Sequence, residues 1–165
     1  MTLSVLRLVT QSPIKESPVT YKVRNNEFEA SIRENFARQD LMRTLGAELT
    51  HIAPGEVSIA MPYSQEFCQQ NGFLHAGTIS SIADSANGYA ALTLCEPGMD
   101  VLAVEFKINL LAPAKAARFL AEGRVLRPGR TLTVCLAHVY GLDGDEHTAV
   151  ATMLSTLMHR PATRS

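Results

Sequence analysis

Residues 76–94 read AGTISSIADSANGYAALTL, and this stretch decides the fold. It is built almost wholly from small and apolar residues, with one carboxylate, Asp84, in its middle. Glu96-Pro97-Gly98 stops it, so the spacing predicts one helix from about Ala76 to Leu94. A helix that is apolar nearly all round is a buried helix. Its small residues let a sheet approach closely. A polar loop, Gln69-Gln70-Asn71-Gly72-Phe73-Leu74-His75, opens directly into it. Helix N-termini offer free N–H donors and attract negative charge. A carboxylate among apolar neighbours is costly unless it has a partner or a task. Loop and helix together point to an oxyanion hole and a base.

Around this helix the chain reads mostly as strand. Ser31–Leu45 reads as a preceding helix, with Ser31 as cap, Ile32, Phe36, Leu41, Met42 and Leu45 as its apolar stripe, and Gly46 as its end. Two short strands follow, Ala47–Ile52 and Val57–Met61, around Pro54-Gly55. After the long helix, Val101–Leu111 alternates, with Val104, Phe106, Ile108 and Leu110 on one face. Arg118–Leu126, Thr131–Tyr140 and His147–Met158 are separated by Pro128-Gly129 and Asp143-Gly144 turns. The hairpin turns imply antiparallel pairing. The predicted class is α+β: a curved antiparallel sheet of five to six strands wrapped around one central helix. Residues 28–160 form the single domain, 1–27 an N-terminal extension and 161–165 a polar tail.

Composition narrows the function. The 165 residues suit one domain, and 46% apolar content suits an ordinary globule. With 15 basic and 16 acidic residues, net charge −1, nothing favours nucleic acid as partner. No apolar run reaches the ~18 residues of a membrane span. Three cysteines without a CxxC pair read as reduced thiols in a cytoplasmic protein. The histidines are scattered with no metal-ligand spacing, so neither a metal nor a cofactor is expected.

His75 and Asp84 lie nine residues apart, ~13.5 Å along a helix and on opposite sides of it. A group held at the amides of Ala76 and Gly77 is therefore out of reach of Asp84 in the same chain. If both act on one substrate, a second subunit must supply one of them. His75 could act as an acid, though it reads more simply as an anchor for the loop. Gln69 and Asn71 could hold a carbonyl or water, or merely bond the loop.

Gln69 through Asp84, Val104-Glu105-Phe106-Lys107-Ile108-Asn109 with Ala112-Pro113-Ala114, and Val125 through Arg130 resemble the hotdog-fold acyl-CoA thioesterases. The likeness is strongest to the PaaI-like branch associated with phenylacetate degradation. The resemblance implies dimers, often tetramers, with an active site shared between subunits. It implies that the Ala76 amide polarises the thioester carbonyl and that Gln69 helps hold the carbonyl or water. Asp84, from the partner subunit, would attack the thioester or activate water. Arg127 and Arg130 would meet the phosphates of coenzyme A. Three positions depart from the family: Ala76 replaces its first Gly of His-Gly-Gly, Ala103 stands where some relatives carry a water-placing Ser or Thr, and Gly88, one turn past Asp84, likewise offers no hydroxyl. The expected activity is hydrolysis of an aryl or medium-chain acyl-CoA. The rival readings are a non-catalytic acyl-CoA binder and an acyl-thioester hydratase or dehydratase.

Overall fold

The computed structural model describes residues 21–162. The expected extension lies outside the described residues up to residue 20, as does the tail from 163. Tyr21 packs against the body of the domain, its hydroxyl donating to the carbonyl of Val125.

Ten elements follow in order: α1 (Phe28–Ala37), α2 (Asp40–Thr44), β1 (Glu48–Ala53), β2 (Glu56–Pro62), a 3-10 turn (Gln65–Phe67), α3 (Ala76–Leu92), β3 (Met99–Leu110), β4 (Arg118–Pro128), β5 (Leu132–Asp143) and β6 (Glu146–Pro161). The six strands form one antiparallel sheet in the order β1-β2-β4-β5-β6-β3. This is the architecture read from the sequence. α3 lies along the sheet and buries Ile79, Ile82, Ala83, Ala86, Tyr89, Ala90 and Ala91. They meet Val57, Ile59, Phe119, Ala121, Ala137, Val139 and Met153 from the strands in one core. Small side chains set the spacing, and Gly123 on β4 sets it most tightly. A Cβ there would stand 2.5 Å from the backbone carbon of Ala86 and 2.7 Å from the nitrogen of Asn87. Helix and sheet touch backbone to backbone at this point.

Two local expectations are corrected. The helix predicted over 31–45 is broken at Gln39, which is extended (φ −83, ψ 98). Nine residues turn a straight helix by about 900°, so Phe36 and Leu45 would face opposite ways. The break lets Ile32, Met42 and Leu45 all reach the core, while Leu41 stays half exposed. Ser31 lies inside α1 rather than capping it, and its hydroxyl returns to the Glu27 carbonyl at 3.0 Å. The second correction is in β3. A register shift between Ala103 and Glu105 makes Val104 the extra residue of a bulge. Beyond it Phe106, Ile108 and Leu110 oppose Ser155, Met153 and Ala151, and so share the inner face. Val104 does not stay in phase with them.

Candidate active site

The loop before α3 is clamped by backbone bonds. Leu74 donates to Ala114 and His75 donates to Phe67, each at 2.9 Å. The Thr78 hydroxyl also donates to the Phe67 carbonyl, at 3.1 Å. Within the loop, Gln69 donates to Phe73 at 2.8 Å. Its side-chain oxygen accepts from the amide of Asn71.

His75 is the N-cap of α3. Its Nδ1 accepts from the Gly77 amide at 2.9 Å. A Cβ at residue 77 would press to 3.1 Å on that ring nitrogen, so glycine gives the imidazole room to cap. The bond has a chemical consequence. An Nδ1 that accepts carries no proton, so this arrangement uses the neutral ring. It also occupies the Gly77 amide, which is therefore not available to an incoming oxyanion. The amides of Thr78 and Ile79 already bond the His75 carbonyl. The Ala76 amide is the one left in the first turn. No described non-glycine residue has positive φ, so alanine holds this amide in ordinary helical geometry.

A cavity of about 590 Å³ opens at this helix start. Gln69, Phe73, His75, Ala76, Leu110 and Val150 are among its walls. Asn71 is exposed and outside it. Asp84 lines a second cavity, of about 250 Å³, with Asn35, Gln39, Ser85, Tyr89 and Ala103. The two cavities share no lining residue. Arg127 and Arg130 sit at the β4–β5 turn and line neither. One chain thus brings Gln69, His75 and Ala76 together and keeps Asp84 apart from them.

Asp84 is half buried, and one carboxylate oxygen is wholly buried with no hydrogen-bond partner among the described residues. Burial pushes its pKa above the usual carboxylate value. Three residues on, Asn87 is fully buried. Its Nδ2 donates to Ser155 Oγ at 2.8 Å, and its Oδ1 also lacks a partner. Sequence reasoning missed the polar groups around Asp84. Gln39 accepts from Ser85 at 3.2 Å, and Asn35 accepts from the Tyr89 hydroxyl at 3.2 Å. An Asn inside an apolar helix was the only available signal for any of them. Among the described residues, no cluster of His, Cys, Asp and Glu could hold a metal ion, and no helix is long and apolar enough to cross a membrane.

Comparison with known proteins adds chemistry to this geometry. Residues 71–155 match the Thioesterase superfamily. A thioesterase family protein from Silicibacter pomeroyi is 47% identical, with a TM-score of 0.80 over 82% of this chain and 99% of that one. The 1,4-dihydroxy-2-naphthoyl-CoA hydrolase of Listeria monocytogenes is 26% identical over 94 residues, 57% of this chain and 76% of that one. The PaaI protein of Escherichia coli, from the phenylacetic acid degradation operon, shares the fold at 17% identity. Its TM-score is 0.76 over 86% of this chain and 99% of that one.

Proposed function

The chain belongs to the thioesterase superfamily and is a thioester hydrolase; on that premise, we propose that it hydrolyses acyl-coenzyme A at a site shared by two subunits. The Ala76 amide receives the carbonyl oxygen, whose negative charge grows as the carbonyl is attacked. Gln69 borders the same cavity and helps hold the substrate there. Asp84 of the other subunit supplies the carboxylate for the attack. The C–S bond breaks, and a carboxylic acid and the thiol of coenzyme A leave. His75 is the cap that shapes the donor. Arg127 and Arg130 carry no part of this reading.

One observation carries it: Asp84 keeps a buried oxygen unpartnered in a cavity separate from the helix start. Strand β3 supplies the way to unite the two. Among the described residues it is an edge strand, bonded only to β6. Leu102, Val104, Phe106 and Leu110 along it, and Leu111 just past its end, are each about half exposed. The Asp84 cavity borders its first residues, Asp100–Ala103, and the helix-start cavity borders its end at Leu110. An antiparallel pairing of two β3 strands sets the start of one beside the end of the other. Each Asp84 cavity then faces the Ala76 cavity of the second copy, giving two complete sites per dimer. Exposed Leu132, Leu154 and Met158 on the outer sheet face suit a further association into a tetramer.

An aromatic acyl group is favoured. The small cavity beside Asp84 offers Tyr89, Leu92 and Leu157 as apolar walls, and the Listeria relative is named for an aromatic acyl-CoA. The test is release of free thiol from phenylacetyl-, hydroxybenzoyl- and straight-chain acyl-CoA by wild type and Asp84→Asn. Turnover on an aromatic substrate that disappears in the variant supports the reading. Equal turnover in both proteins refutes it. Mixed dimers of Asp84→Asn with Ala76→Pro chains should regain about one site in two, because each pairing rebuilds one intact site. No recovery refutes the shared site.

A further inference from the structure

We propose that Gln39 is a positioning residue that holds the hydrolytic water against Asp84, a role that rests on the thioesterase reading above. The interruption of the helix at Gln39, between α1 and α2, turns this side chain onto α3, where it lines the Asp84 cavity. Its Oε1 accepts from the hydroxyl of Ser85, the residue next to Asp84, at 3.2 Å. That bond orients the carboxamide and leaves its two N–H donors without a partner among the described residues. Asp84 lines the same cavity, and its carboxylate has no hydrogen-bond partner among the described residues. A donor and an acceptor thus border one cavity without bonding each other. Water is the molecule that fits this pair, accepting from Gln39 and donating to Asp84.

Asn35 also lines this cavity, but its carboxamide is anchored through Oδ1 to the Tyr89 hydroxyl rather than to the residue beside Asp84. Ala103 and Gly88 carry no hydrogen-bonding side chain, and the Tyr89 hydroxyl is committed to Asn35, more than a turn further along α3. With water so held, Asp84 acts as general base rather than nucleophile. The water oxygen bonds to the thioester carbon as one of its protons passes to Asp84. The C–S bond breaks, the sulfur takes that proton from Asp84, and the products are the acid and the free thiol. Gln39 donates a hydrogen bond throughout and changes no bond of its own.

The experiment compares wild type, Gln39→Met, Asp84→Asn and the double variant on the best acyl-CoA found. Methionine keeps the length and apolar contacts of Gln39 but donates nothing. Gln39→Met should lower kcat on the order of 10–100-fold with KM nearly unchanged. Added to Asp84→Asn it should cost nothing more, because the water then lacks its base. In a single turnover in ¹⁸O-water, the product acid should carry label. Unchanged kcat in Gln39→Met, an equal loss in both backgrounds, or an unlabelled first-turnover acid overturns the proposal. Loss of turnover in Asp84→Asn alongside unchanged Gln39→Met would leave the thioesterase reading standing and remove only this role.

Discussion

Gly123→Ala tests the close approach of α3 to β4 and links packing to chemistry. The new Cβ would meet the Ala86 carbon at 2.5 Å and its oxygen at 2.6 Å. Carbon atoms rest ~3.5–4.0 Å apart, so α3 must retreat by about 1 Å. Overpacking typically costs about 1–3 kcal/mol, and a helix backbone cannot rotate aside as a side chain can, so ~3 kcal/mol is expected. For a chain of this length each kcal/mol lowers Tm by about 2–4 °C, giving a fall of roughly 6–12 °C. Ala86 is two residues from Asp84, so the same retreat displaces the carboxylate. A 1 Å misplacement of a reacting group can cost ~10²-fold in rate. Thermal unfolding at fixed protomer concentration reads the first effect, and thiol release reads the second. A variant with Tm within about 2 °C of wild type and full turnover would refute the backbone contact between α3 and β4.

Asp84 links stability to pH. Its folded pKa is raised above 3.8 by burial. Its protonated form therefore costs nothing below that value, and stability is lost as pH rises through the folded pKa. Asp84→Asn should then match wild type in Tm below pH 3.8 and exceed it at pH 7 while lacking turnover; equal Tm at pH 7 would sink this account. Phe106→Lys puts a charge at the centre of the exposed edge strand, where charges oppose pairing. Sedimentation should show monomers and thiol release should fall together, and an active dimer would refute the β3 pairing.

The helix of residues 76–92 was legible because its composition permits only a buried helix, and its lone carboxylate was conspicuous there. The strand pattern was legible from alternation and turns. The break at Gln39 was not, because Ile32 and Leu45 each satisfy a helical stripe locally. Only the shared core demands that both face the same way. The Val104 bulge was hidden for the same reason, since its neighbours alternate perfectly on paper. Within the site, the sequence offered both Ala76 and Gly77 as donors. The rotamer of His75 removes the second. Gln39 reaches Ser85 across 46 positions, a contact no local pattern announces.

The donor left by the His75 cap belongs to the main chain at a position that is already alanine. An alanine scan would pass over it in silence, and so would selection acting on side chains: almost any residue at 76 transmits the same N–H. Such a group resists genetic drift, and it leaves little trace in comparisons of sequence. Proline alone deletes it cleanly. Residue 76 is the first of the helix, where proline fits, and His75 at φ −61, ψ 142 already has the extended backbone that proline requires before it. Ala76→Pro should therefore fold and pair normally yet turn over poorly. Full turnover in that variant would move the oxyanion elsewhere.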